Sequence, residues 1–431
     1  MKPTHKLLFV LCALLVLGFI YYSSWKLHLY VWGQKPQKDA EETSVALTKG
    51  AEVKRIAELE NDINVGRIVS SGYDKQGFLL QLETKLPPEL AYKYGNLSEG
   101  VCKPGYATAK MTSIYPKFVK LAPMFLDRNF KQHTKIKNYP PPFGIKTQER
   151  IIDNILTETR SFGLGEDLDS LSCKRCIIVG NGGILYNKSL GSRIDEYDVV
   201  VRLNGAPIAG YKRDVGTKTT LRITYPEGAI QKSEHYEGDS LFVFSAFKPI
   251  DFKWLKNMVF KEKLNVEHSG RQKSRSDRGN KWMQNTKVGM KMKKGIKYKI
   301  LKKKNRMEGF WKSVAQHVPR KPAEMRILNP YFIQEAAFQF IGLPFNNGLM
   351  GKGNIPTLGT VAITMALHNC DEVAVAGFGY DMTAPQAPLH YYESVKMSAI
   401  KESWTHNIAK EKEFLRKLVK ANVITDLTKG I

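Results

Sequence analysis

Short apolar runs punctuate the chain from residue 176 onward, and they leave few folds open. Cys176-Ile-Ile-Val179, Asp198-Val-Val-Val-Arg-Leu203, Leu221-Arg-Ile-Thr-Tyr225, Leu241–Phe247, Met325-Arg-Ile-Leu328 and Glu372-Val-Ala-Val-Ala-Gly377 are too short for buried helices. Their length and their β-branched residues predict strands covered on both faces, as in a parallel sheet. Helical patterns fall at Asn154–Thr159, Thr360–Asn369 and Lys410–Lys420, and Ile184–Ile194 can continue as one after the first strand. The expected fold is α/β, a doubly wound, Rossmann-like and mostly parallel sheet flanked by helices. At 431 residues with 42% apolar content, the chain has room for one large α/β domain with a tail, or for two domains.

The amino terminus points to a membrane. Leu7 to Tyr22 carries no charge, and Ser23-Ser-Trp25 extends the stretch to Lys26. A bilayer span needs about 20 apolar residues, so this one is short and suits a thin secretory membrane. A cleaved signal peptide is the competing reading. Bulky Tyr21, Tyr22 and Trp25 stand where a small-residue cleavage site belongs, and interfacial aromatics fit the edge of an anchor. The expected organisation is a cytoplasmic tail at 1–6, an uncleaved signal anchor at 7–26, a stem at 27–100 with a charged helix at Ala51–Ile63, and a luminal domain at 101–431.

The net charge is +25, which by itself suggests a polyanion partner. More than half of it lies in residues 263–306, where 16 Lys and Arg face only Glu267 and Asp277. That segment has no apolar period and few aromatics. It reads as a disordered basic insert in a surface loop better than as a polyanion-binding arm, and no nucleic-acid partner is expected.

Cys12 lies inside the anchor, leaving Cys102, Cys173, Cys176 and Cys370. Cys173-Lys-Arg-Cys176 resembles a redox or half-zinc motif, but no second Cys pair completes a zinc site. In an oxidising lumen, two structural disulfides are the better reading. The sequons at Asn96 and Asn187 are glycosylation acceptors if the chain enters that lumen.

Gly180-Asn-Gly-Gly183 follows a predicted strand, as phosphate-cradling turns do. Leu185 replaces the third glycine of the dinucleotide fingerprint, and Arg202-Leu-Asn204 closes the next strand in place of an acid. The pattern disfavours NAD and leaves a mononucleotide site or a plain tight turn. Asp167-Leu-Asp169 precedes the first strand, so helix-end polarity accounts for it better than metal binding. His390 and His406 follow turn-like stretches after the last predicted strand. A lone histidine is usually structural. Two of them beside a nucleotide-type fold can exchange protons near neutrality.

Taken together, these residues resemble the eukaryotic sialyltransferase family. Its large motif resembles Cys173-Lys-Arg-Cys-Ile-Ile-Val-Gly-Asn-Gly-Gly through Val201-Arg-Leu-Asn204. Its small motif resembles Pro356-Thr-Leu-Gly359 through Cys370-Asp-Glu-Val-Ala-Val-Ala-Gly-Phe-Gly379. His390-Tyr-Tyr-Glu393 and the pair His406 and Glu411 resemble the third and very small motifs. Tyr21–Leu29, Pro141–Gly144 and Leu343–Gly351 are similar to the N-acetyllactosaminide α-2,3 subgroup.

The resemblance implies a GT-A-like domain and a single-pass type II Golgi membrane protein with a luminal catalytic domain. It implies transfer of sialic acid from CMP-sialic acid to the 3-hydroxyl of a terminal galactose, in Galβ1-3/4GlcNAc of glycoproteins or, as the runner-up, on a glycolipid. Asn181 and Asn204 would contact the donor nucleotide, with Thr357, Gly359 and Gly377 lining its site. His390 would donate to the phosphate as CMP leaves. His406 would be the general base of an inverting displacement. No cofactor or metal is expected, and Glu411 is expected to orient its helix or His406. The family bridge between large and small motifs implies Cys176–Cys370, which leaves Cys102 for Cys173. Two departures stand out. Leu358 replaces a residue that often carries a hydroxyl, and the family pattern has only a few residues where this chain has 263–306. A sialyltransferase-fold protein weakened by that insert is the alternative.

Overall fold

A computed structural model describes residues 72–82, 88–98, 100–120, 122–261, 309–345, 353–381, 383–402 and 405–431. The expected anchor and tail, most of the expected stem with its Ala51–Ile63 helix, and the basic segment 263–306 lie outside the described residues. No helix among the described residues is long and apolar enough to cross a membrane.

Seven strands form one sheet: β1 Arg175–Val179, β2 Val199–Leu203, β3 Leu221–Thr224, β4 Leu241–Phe244, β5 Met325–Ile327, β6 Glu372–Ala376 and β7 Ile424–Asp426. Their order is β5-β4-β3-β2-β1-β6-β7, and every neighbouring pair is parallel. The first six lie where the apolar runs predicted them. β7 was not anticipated, because Ile424-Thr-Asp has too little apolar character to stand out.

Alternate residues of these strands face two layers, which is why the runs read as continuously apolar. Cys176, Ile178, Val199 and Val201 join one core cluster, while Ile177, Val179, Val200 and Ala376 join the other. The principal helices are α1 Tyr106–Ile114, α2 Glu149–Thr159, α3 Pro249–Phe260, α4 Leu358–Asn369 and α5 Ile408–Lys420. Helix α4 is buried from Leu358 through His368 and packs on β6, β1, β2 and β3. A helix apolar on all sides belongs in the interior. In α5, Glu411, Phe414, Leu415 and Leu418 recur at helical spacing on one buried face. Phe414 stacks on Phe340 at 5.2 Å and meets Phe78 at 5.9 Å, so the core also draws on residues before 101.

One local expectation fails. Ile184–Ile194 is not a helix. Gly183–Leu185 makes a single 3-10 turn, and only Gly191–Asp195 is helical. Both bridges, Cys102–Cys173 and Cys176–Cys370, are formed. The second ties β1 to the end of α4, 194 residues away in sequence.

Candidate active site

Strands β1 to β5 run outward on one side of the sheet, while β6 pairs with the opposite side of β1. In open α/β sheets, ligands bind at the strand carboxyl ends where the order reverses. A cavity of about 580 Å³ opens there. Gly180 and Asn181 enter it after β1, Asn204 after β2, Tyr225 after β3, Lys248 after β4 and Gly377 after β6. Thr357 and Gly359 line it from the start of α4, with His390 and His406 from the chain between β6 and α5. Every donor-contact and catalytic residue expected from the sequence therefore faces one cavity. The sequon residues Asn96 and Asn187 are exposed elsewhere.

The glycines after β1 do not open an α-helix, because only a single 3-10 turn follows them. They are small for packing reasons instead. A Cβ on Gly180 or Gly182 would come within 2.6 Å of the Gly377 carbonyl, and one on Gly183 within 2.2 Å of the Pro388 carbonyl. This tight seam lets the third motif lie alongside the turn. Gly183 N–H donates to Leu389 O at 3.0 Å, and Tyr391 N–H to Asn181 O at 3.1 Å. His390 and Asn181 are thereby fixed side by side.

Asn181 presents a buried side-chain oxygen that has no hydrogen-bond partner among the described residues. Such an atom is open to a hydrogen bond from a ligand or a water. Its amide nitrogen reaches Tyr392 Oη at 3.5 Å. Burial, reinforced by the Glu393 carboxylate, pushes the Tyr392 phenol up to about 12, so it stays protonated.

The two histidines are held through Nδ1 by different acceptors. His406 Nδ1 lies 2.9 Å from Ile355 O. A carbonyl only accepts, so Nδ1–H is the donor of this bond and Nε2 takes no part in it. His390 Nδ1 instead contacts the Glu393 carboxylate, and its ring stacks on Tyr392 with centroids 5.4 Å apart. A carboxylate only accepts, so Nδ1–H is the donor of this contact.

Glu411 is buried one turn into α5 and points at the start of α4. It accepts from the Thr360 hydroxyl at 2.6 Å and from Thr357 through both N–H and hydroxyl. Burial raises its carboxyl above the usual range, against the pull of the Thr357 and Thr360 hydrogen bonds and of His406. The Thr357 hydroxyl proton is thus committed to Glu411, although the residue lines the cavity. Leu358 lines it as well, apolar where the family often places a hydroxyl.

Asp169 turns back to accept from Leu164 N–H and Gly165 N–H, both at 3.2 Å, in a loop-closing role. Among the described residues, no group of three His, Cys, Asp or Glu side chains is placed to hold a metal.

The model of glycosyltransferase family 29, the sialyltransferases, matches residues 125–288 and 290–423. The chain belongs to this family. A human CMP-N-acetylneuraminate-beta-1,4-galactoside alpha-2,3-sialyltransferase is 57% identical over 99% of this chain and 98% of its own length. A rat lactosylceramide alpha-2,3-sialyltransferase is 37% identical over 77% of this chain and 76% of its own. A mammalian sialyltransferase crystal structure aligns with a TM-score of 0.48 at 21% identity, over 77% of this chain and 98% of that one.

The sequence did not single out Tyr392, Tyr225 or Lys248, which also line the cavity of this family 29 protein. Tyr392 was available inside the third motif. Lys248 enters only because β4 ends beside β3, and its ammonium contacts the Glu227 carboxylate in the cavity wall.

Proposed function

We propose that the protein transfers sialic acid from CMP-sialic acid to the 3-hydroxyl of a terminal β1,4-linked galactose on glycoprotein glycans. The reading is supported by the family and by the full-length relatives named for that linkage. One observation carries it. His406 and His390 share a cavity, one ring held through Nδ1 by a carbonyl and the other by a carboxylate.

His406 Nε2 takes the proton from the galactose 3-hydroxyl as that oxygen attacks the anomeric carbon of sialic acid. The bond from that carbon to the CMP phosphate breaks in the same step, which inverts the centre. Charge shifts from sugar to phosphate, as in other oxocarbenium-like transfers. His390 donates through Nε2–H to the leaving phosphate, supplying without a metal the stabilisation that a cation gives elsewhere. Asn181 and Asn204 hold the nucleotide, with Thr357, Gly359 and Gly377 along its path. In this reading the fold is GT-A-like, residues 7–26 are an uncleaved type II anchor, and the catalytic domain faces the Golgi lumen.

The test is incubation of purified protein with CMP-sialic acid and N-acetyllactosamine, EDTA present, followed by linkage analysis. An α2,3-linked product is expected. An α2,6 product, or transfer only to lactosylceramide, would overturn the acceptor assignment. Loss of transfer with EDTA that added metal restores would overturn the metal-free mechanism.

A further inference from the structure

Arg222 lies in β3 with only 2% of its surface exposed, and it does not line the cavity. Its guanidinium makes four contacts. Nη1 donates to the carbonyl of Asn204 at 2.7 Å and to that of Ala206 at 3.1 Å. Nε donates to Glu237 at 3.1 Å, and Nη2 contacts the other oxygen of that carboxylate. Burial alone would raise the Glu237 carboxyl, yet the Arg222 hydrogen bond and charge outweigh it and hold it below its usual range. Glu237 is steadied in turn by Arg320, which contacts its carbonyl and donates to Ser240 O at 2.8 Å.

The two carbonyls that Arg222 grips belong to the turn that carries Asn204. Asn204 sits at φ +51°, left-handed backbone that a non-glycine residue keeps only when its surroundings fix it. Its side chain passes close over Gly228, where a Cβ would come within 2.4 Å of Asn204 Oδ1. The same turn is gripped from its other end, since Tyr391 Oη donates to Pro207 O at 2.6 Å. The turn is therefore clamped between a buried arginine and the residue next to His390.

We propose that Arg222, braced by Glu237, is a positioning residue for the donor nucleotide. It holds the Asn204 turn in the left-handed conformation that aims the Asn204 side chain into the cavity. The inference rests on the reading of that cavity as the CMP site. Lysine keeps the charge but lacks the planar fork, so it cannot serve two carbonyls and Glu237 together.

The test is a double-mutant cycle on CMP binding by calorimetry, using Arg222→Lys, Asn204→Ala and the pair. Arg222→Lys should weaken CMP binding roughly tenfold, or about 1.4 kcal/mol, and less than twofold when Asn204 is already alanine. Donor KM should rise in step while acceptor KM stays unchanged. Equal losses in both backgrounds would mean a general structural role and overturn the proposal, as would no loss in the wild-type background. If Asn204→Ala alone leaves CMP affinity intact, the CMP reading of this turn fails first and takes the proposal with it. Should Arg222→Lys not fold, Glu237→Gln loosens the same guanidinium at nearly constant volume and enters the cycle in its place.

Discussion

The Glu411 carboxylate accepts from both the N–H and the hydroxyl of Thr357, at 3.0 and 2.5 Å, across 54 residues of sequence. This contact pins the start of α4, which lines the cavity, to the helix that follows His406. Glu411→Gln places an amide NH₂ among donors and leaves one of them unsatisfied, at a cost of about 1–3 kcal/mol. The thermal midpoint should fall. Turnover should drop roughly tenfold or more, because the base shifts relative to the donor. Unchanged kcat with a lowered midpoint would confine Glu411 to stability.

His406→Ala should lower kcat by roughly 10² to 10⁴ while CMP affinity is kept. Calorimetry with CMP and a saturated-rate assay separate the two effects. Wild-type turnover in this variant would remove His406 as the base.

His390→Ala should behave differently, weakening CMP binding as well as slowing transfer, because the lost donor serves the phosphate in both ground and transition states. A pure kcat effect with unaltered CMP affinity would place His390 away from the phosphate.

Asp251 gives a pH prediction. It is fully buried at the start of α3 and accepts from Phe247 and Lys248 N–H, at 2.9 and 2.8 Å. Burial raises its carboxyl from 3.8 to about 6, despite Lys248 nearby. Between those values the folded state keeps a proton that the unfolded chain has lost. Stability therefore declines as pH rises through that window, by about 3 kcal/mol in all, and levels off above it. Asp251→Asn should remove that slope and gain over wild type from pH 4 to pH 7 in urea melts. A constant difference across the range would contradict the assignment.

Replacing Cys176 and Cys370 together by alanine should cost about 4–5 kcal/mol on the chain-entropy account, given the long loop they close. Chemical denaturation of oxidised protein and of the double variant measures it.

Much of the sheet was legible because strands buried on both faces read as unbroken apolar runs, as Cys176–Val179 and Glu372–Ala376 do. The register of the site was legible only through motifs, since Asn181 and His390 are 209 positions apart and meet through main-chain bonds that no local pattern encodes. Ile184–Ile194 misled because its composition permits a helix, while Asn187 and Ser189 take left-handed backbone and give their N–H groups to the distant Asp214 carboxylate. Arg222 was invisible for a related reason. An arginine inside an otherwise apolar run looks like an interruption until neighbouring strands supply the carbonyls and carboxylate that bury it.

Strand β1 is joined to the end of α4, just before its neighbour β6, by a bridge between cysteines 194 residues apart. On a ribosome adding about 5–20 residues per second, Cys370 follows Cys176 by on the order of 10 to 40 seconds. Throughout that interval β1 has no partner on its β6 side, and neither histidine has yet been made. The nascent chain thus carries an open sheet edge through nearly half of its synthesis, and the bridge that secures this edge closes only near the end.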